Sequence, residues 1–222
     1  MTREKTFEQF KIKKTNMKFA YNILLFIMVT ICVDTVAAQV AEWDCSSPQA
    51  SGAFSLSSDC ALSVGNCVVG SDTHKSSVCI STDMLELNGT KNGDSLATIS
   101  RAVAATKHRF FTVSGGGKLI LRKLNITGGE NSASSGYNSY GGALYLTGSG
   151  TSLEVYDSVM CHNIGNGAAI FTKTGPNLHV HVERSTFYGN SKSAITIRGG
   201  GDSLTAVDSV FYENSNTHGG AV

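Results

Sequence analysis

The residue types that could do chemistry in this 222-residue chain fall into a few spaced groups. His179 and His181 alternate with Val180 and Val182, and Glu183 keeps the same parity, so all three polar side chains leave one side of an extended segment. Two imidazoles two residues apart could share a metal ion. A solvated strand face accounts for them as well and is the preferred reading. Asp157, Arg184 and Asp208 occupy equivalent positions in three related stretches. An arginine between carboxylates could take a proton from a uronate, as in a lyase, and two carboxylates about 5–10 Å apart could cleave a glycosidic bond. A structural ladder of ion pairs explains the trio more simply. Tyr137, Tyr140, Tyr145, Tyr156, Tyr188 and Tyr212 are expected to face outward, where rings stack on sugars or pack against neighbouring turns. The longest turn-like insertion, residues 129–140, is the first place to expect a binding loop.

The elements that position these groups repeat. Ser158-Val159-Met160-Cys161-His162-Asn163, Ser185-Thr186-Phe187-Tyr188-Gly189-Asn190 and Ser209-Val210-Phe211-Tyr212-Glu213-Asn214 share one pattern, their asparagines 27 and 24 residues apart. A second motif keeps the same period: Ala143-Leu144, Ala169-Ile170, Ala194-Ile195 and Ala221-Val222, with Gly141-Gly142 and Gly219-Gly220 before the first and last. Apolar residues alternate ahead of each unit at Leu119/Leu121, Leu153/Val155, Val180/Val182 and Leu204/Ala206. Alternation of period two means strands with one buried face. Repeats of this length indicate a solenoid. Stacking like residues about 4.8 Å apart gives three apolar columns. They are Leu119–Leu153–Val180–Leu204, Ile126–Met160–Phe187–Phe211 and Leu144–Ile170–Ile195–Val222. Lys123, Asp157, Arg184 and Asp208 form a turn column, and Glu154, His181 and Thr205 become neighbours on the outer face.

The pattern Phe-x-x-Asn followed by Gly-Gly-Ala-Ile/Val resembles the repeats of the polymorphic outer-membrane protein family, within the pectin-lyase-like right-handed parallel β-helices. Phe187 to Asn190, and Phe211 to Asn214 with Gly219-Gly220-Ala221-Val222, carry it best. Met160 to Asn163 is a degenerate copy and Ile126 to Gly129 a weaker one. The segment from Phe110 through Gly129 is similar to the coil that opens such arrays. The resemblance covers about residues 84–222 and implies a β-helix of four to five coils. It does not choose an activity, because that superfamily holds adhesins, passenger domains, lyases, glycosidases and epimerases. No paired-Asp or Gly-His-Gly motif of the pectinases is present in the chain, and the one Arg-x-Lys, Arg3-Glu4-Lys5, falls ahead of the repeats in the expected signal, which speaks against catalysis.

Residues 23–33 are an apolar run of 11 preceded by Lys11, Lys13, Lys14 and Lys18, with Val36-Ala37-Ala38 after it. This reads as a secretory signal over residues 1–38, cut after Ala38, with Met17 a better start than Met1. The run is short of the roughly 20 residues that cross a bilayer. The chain carries a formal charge of +1, and removing the signal takes out six basic and three acidic residues, leaving the remainder near −2. Lys and Arg are scattered with no basic stripe, which excludes a nucleic-acid partner. Gly at 24 and Pro at 2 suit a turn-rich β-protein.

Cys32 falls in the signal. Cys45, Cys60, Cys67 and Cys79 lie in a Ser-rich stretch with few strand signals, separated by 14, 6 and 11 residues. In an exported chain they read as two disulfides with three connectivities open, and they lack the close pairs of a zinc site. Residues 39–83 are therefore expected to be a disulfide-stapled cap on the solenoid. Cys161 stands where Tyr188 and Tyr212 stand in the later units. It is read as a packed small residue, with a free or intermolecular thiol as the alternative. Asn88-Gly89-Thr90 and Asn125-Ile126-Thr127 are acceptor sites for N-glycans, and Asn125 is expected in an exposed turn.

These readings converge on an all-β chain: a right-handed parallel β-helix with an N-terminal cap, breaking off mid-repeat near Val222. The expected role is adhesive, structural or glycan-binding at the cell surface or outside the cell, with no cofactor. The alternative is a polysaccharide-acting enzyme whose active residues lie mainly beyond Val222.

Overall fold

The computed structural model describes residues 40–45, 51–69, 72–91, 95–102, 106–131, 140–165, 169–173 and 175–215. The chain divides into Met1–Val40 and Ala41–Val222, and the fold is that of the second unit. The expected signal with Met17 and Cys32, Tyr137, and the motif at residues 219–222 lie outside the described residues.

The early strands are β1 (Ala41–Glu42), β2 (Gly52–Leu56), β3 (Cys60–Leu62), β4 (Asn66–Val69), β5 (Asp72–Ser81), β6 (Met84–Gly89) and β7 (Ala97–Arg101). Then come β8 (Arg109–Ser114), β9 (Lys118–Arg122), β10 (Leu124–Thr127), β11 (Glu130–Asn131), β12 (Leu144–Leu146), β13 (Ser152–Tyr156) and β14 (Val159–Cys161). The last are β15 (Ile164–Gly165), β16 (Ile170–Thr172), β17 (His179–Glu183), β18 (Thr186–Tyr188), β19 (Ile195–Thr196), β20 (Ser203–Val207) and β21 (Val210–Tyr212). No helix occurs among the described residues.

Three large sheets result. The first has the order β1-β2-β6-β9-β13-β17-β20, the second β3-β7-β10-β14-β18-β21, and the third β4-β5-β8-β12-β16-β19; β11 and β15 form a small fourth. Every pairing is parallel except β4 with β5. From β6 onward the chain visits the three large sheets in rotation, one pass after another. Parallel neighbours arise because each strand pairs with its counterpart one pass away, not with the next strand in sequence.

The strands form where apolar residues alternate, and burial follows: in β13, Leu153 and Val155 are buried between half-buried Ser152, Glu154 and Tyr156. The expected columns are in register. Leu119, Leu153, Val180 and Leu204 pair across the first sheet. Ile126, Met160, Phe187 and Phe211 pair across the second, and Leu144, Ile170 and Ile195 across the third. Inward residues of all three sheets join one hydrophobic cluster. A fully buried Leu or Phe there contributes roughly 1.5–3 kcal/mol.

Two features depart from expectation. The Cys-rich segment is not poor in strands: β2, β3 and β5 pair in parallel with β6, β7 and β8. Its serines disguise short strands whose inward positions are Phe54, Leu56, Cys60, Leu62, Val78 and Ile80. The disulfides are Cys45–Cys60 and Cys67–Cys79, so they fasten the first layer of sheets that continue through the molecule. Asn125 lies within β10 and is half-buried, not in an exposed turn. The corner is taken by Lys123 before it, in the left-handed backbone region at φ 51°.

Candidate functional site

The outer face of the seven-stranded sheet holds most of the chemistry-bearing residues, and they are wired to one another. Lys118 Nζ lies 2.7 Å from Glu154 Oε1, and Arg122 Nε 2.7 Å from Glu86 Oε1. The Arg122 guanidinium sits 4.2 Å over the Tyr156 ring. Tyr156 donates its hydroxyl hydrogen bond to Glu154 Oε2 at 3.2 Å. The same ring meets His181, tilted, at 5.5 Å between centroids. Burial opposes ionisation of Glu154, but Lys118 and the Tyr156 hydroxyl outweigh it and hold its carboxyl below the usual range. Burial, with Glu154 beside it, pushes the Tyr156 phenol up. Glu154, His181 and Thr205 are cross-strand neighbours as expected.

His179 and His181 do share this face, but they turn to different partners. His179 Nδ1 is 2.7 Å from Ser203 Oγ on β20, and His181 Nε2 is 3.3 Å from Glu183 Oε2. Among the described residues no group of three or more His, Cys, Asp or Glu could hold a metal ion.

The corner between the first and second sheets carries the turn column. Lys123, Asp157, Arg184 and Asp208 all adopt positive φ, between 46° and 51°, which lets one residue swing the chain from sheet to sheet. Arg184 grips Asp157 with both arms of its fork, Nε to Oδ1 at 2.7 Å and Nη2 to Oδ2 at 3.0 Å, and also meets Glu183. This bidentate contact from Arg184 holds the Asp157 carboxyl below its ordinary range. Asp208 forms no ion pair among the described residues. The two aspartates are two strand spacings apart, roughly 9–10 Å, with the arginine filling the gap.

The tyrosines divide. Tyr188 and Tyr212 stack at 5.1 Å with their rings nearly parallel, and His162 meets Tyr188 edge-on at 5.2 Å. The Tyr188 ring is therefore occupied by protein, not open to a sugar. The neighbouring Cys161 thiol raises the Tyr188 phenol. Cys161 is free of disulfides, 4% exposed, and donates to Asn125 Oδ1 at 3.6 Å. Tyr145 was expected outside and is 1% exposed. It stacks on His74 at 5.0 Å and lies under Arg109 at 4.6 Å, whose burial brings its pKa down to about 10. Tyr140 stacks on Phe171 at 4.3 Å. Asn131 Nδ2 donates to Tyr140 O at 3.2 Å, tying the two ends of the 129–140 insertion, while residues 132–139 lie outside the described residues. Asn88 lies half-buried in β6, between Ser55 and Arg122 in the register.

The repeat's signature residues turn out to be internal fasteners. Ser158, Ser185 and Ser209 each accept, on Oγ, the backbone N–H of the equivalent residue one pass earlier, at 3.1–3.2 Å. Asn163, Asn190 and Asn214 do the same with Oδ1, at 3.0–3.2 Å. Their Nδ2 groups donate back to Ile126 O, Met160 O and Phe187 O, and successive asparagine amides bond to each other. The sequence pattern marks these positions as repeating. It carries no sign that their side chains point inward.

Comparison with family models, with curated proteins and with solved structures returned no match.

Proposed function

We propose that the three parallel sheets are wound as a right-handed parallel β-helix. The protein is then an exported or cell-surface repeat protein with an adhesive or structural role, meeting glycans or proteins through its outer faces and loops, without catalysis. Rotation of the chain through the same three sheets, with like residues in register, supports the winding. The resemblance of residues 84–222 to polymorphic outer-membrane protein repeats points the same way. Two disulfides suit an oxidising compartment. Asn88 and Asn125 are its expected glycan acceptors.

The observation that carries the reading is the internal wiring of the outer face. Glu86, Glu154, Glu183 and Asp157 each have a basic partner within 4 Å, and the Tyr156 ring is flanked by Arg122 and His181. Such a face is a rigid mosaic for docking. A general base, by contrast, must be free to reach a substrate proton.

The test is incubation of the protein with uronate-containing and neutral polysaccharides, read both as retention on the immobilised polymer and as new chain ends. Retention, or binding to intact cell surfaces, without new chain ends is the expected result. Cleavage that disappears in Arg184→Ala, with an unchanged circular dichroism spectrum, would instead establish a carbohydrate-active enzyme built on Asp157, Arg184 and Asp208.

A further inference from the structure

We infer that His108 is an acid-sensitive latch. While its ring is neutral it holds β11, the root of the 129–140 insertion, against the start of β8, and proton uptake releases β11 ahead of the large sheets.

The first observation is where the ring lies. His108 is 0% exposed and directly precedes β8. Its Nδ1 lies 2.5 Å from Thr106 O. A carbonyl oxygen only accepts, so Nδ1 carries the hydrogen and Nε2 is the bare nitrogen of a neutral ring. Nε2 is sealed from solvent with no hydrogen-bond partner among the described residues. The Phe110 ring stands perpendicular to the imidazole at 6.3 Å. A second proton would put a full charge inside the fold, which is costly unless it is paired. Burial pushes the ring below the ordinary histidine range and Arg101 adds to that, against the opposing Thr106 and Leu62 backbones.

The second is what the ring is tied to. The His108 carbonyl accepts the Glu130 backbone N–H at 3.1 Å. The Glu130 carboxylate is gripped by two residues ahead of His108, Lys107 Nζ at 2.6 Å from Oε1 and Arg101 Nη1 at 3.1 Å from Oε2. The strand β11 is two residues long and pairs with β15 alone. A strand this short opens at low cost once such ties loosen.

The third is the charge around the ring. Arg101 and Lys107 are cations that already share the Glu130 carboxylate. Arg109, next in sequence, lies over Tyr145 at 4.6 Å. Leu62 on β3 and Phe110 on β8 bring no charge. A protonated His108 is therefore a third cation beside one carboxylate. Opening β11 lets water solvate the ring, so the open form binds the proton better than the closed one. Its population rises about tenfold for each pH unit below about 6.5, the value of an unfolded histidine, until the folded ring takes a proton itself.

The experiment follows amide hydrogen exchange by NMR in the 222-residue chain from about pH 7.5 to 5.5, corrected for the intrinsic pH dependence of exchange. Protection of the Glu130 amide should fall about tenfold over that range, while the Val155 and Val182 amides in β13 and β17 keep theirs. In His108→Gln, which stays neutral throughout, that loss of protection should disappear. Ring nitrogen shifts of the unaltered chain should show the Nδ1–H tautomer at neutral pH and a titration midpoint below that of an unfolded histidine peptide, a reading that stands whether or not the glutamine variant folds. The inference is overturned by Glu130 protection that does not change with pH, by the same change in His108→Gln, by a loss spread evenly over the three large sheets, or by a ring that is protonated or Nε2–H at neutral pH.

Discussion

Arg184 is the residue where a catalytic and a structural reading competed most directly, and its surroundings favour the second. Both arms of its guanidinium lie on Asp157, which keeps that carboxyl ionised below its usual range. Glu130 is likewise held low, chiefly by Lys107, with burial opposing and Arg101 assisting. A carboxyl whose pKa is depressed by folding contributes stability that is complete above its unfolded value, about 4. That contribution is lost as pH falls through the lower folded value. Buried His108 is held neutral below the ordinary histidine range, so urea midpoints should begin to decline below about pH 6.5 as the unfolded chain takes up that proton, and fall further below about pH 4 as the carboxylates protonate. Arg184→Ala should return Asp157 toward its ordinary value, visible as a higher carboxyl pKa by NMR, and should leave a shallower acid decline. An unchanged Asp157 titration in that variant would show that the ion pair is not formed in solution.

At the scale of the element, the Ser and Asn ladders explain why strands as short as β14 and β18, three residues each, keep register. A corner breaks the backbone ladder, and the amides it leaves unpaired would be buried without partners. Side chains from the next pass take those amides instead. Asn190 is 0% exposed and makes four such contacts, to Asn163 N, Asn163 Nδ2, Met160 O and Asn214 Oδ1. Asn190→Ala leaves at least one buried donor and one buried acceptor unmet, at about 1–3 kcal/mol each. The expected loss of unfolding free energy is thus about 2–6 kcal/mol, measured by urea titration. A loss under about 1 kcal/mol would mean that water enters the corner and replaces the side chain.

Across the whole molecule, the two disulfides lie in one layer. Cys45–Cys60 and Cys67–Cys79 close short loops of 15 and 12 residues, each removing about 3 kcal/mol of unfolded-chain entropy. Because β2, β3 and β5 are hydrogen-bonded to β6, β7 and β8, loosening them frays the sheets from that layer inward. After reduction, amide exchange should accelerate first in β2, β3 and β5 while β13, β17 and β18 stay protected. Simultaneous loss of protection everywhere would show that the layers unfold as one cooperative unit.

Periodicity determined a good deal by itself. Alternation at Leu119/Leu121, Leu153/Val155 and Val180/Val182, together with the spacing of the Ser-x-Φ-x-x-Asn units, was enough to place three apolar columns and the charged corner column in register, because side-chain parity and strand spacing are local rules. The same rules put His179 and His181 on one face. What they could not supply is what lies opposite a side chain from a different pass. Only the tertiary structure decided that Asn163 and Asn190 turn inward, and that Tyr145 is covered while Tyr212 is not. It also placed Asn125 in a strand against Cys161, and turned the serine-rich segment carrying four cysteines into the first strands of the common sheets. In each case the deciding contact joins residues some 15 to 70 positions apart, a distance over which composition and spacing carry no geometric information.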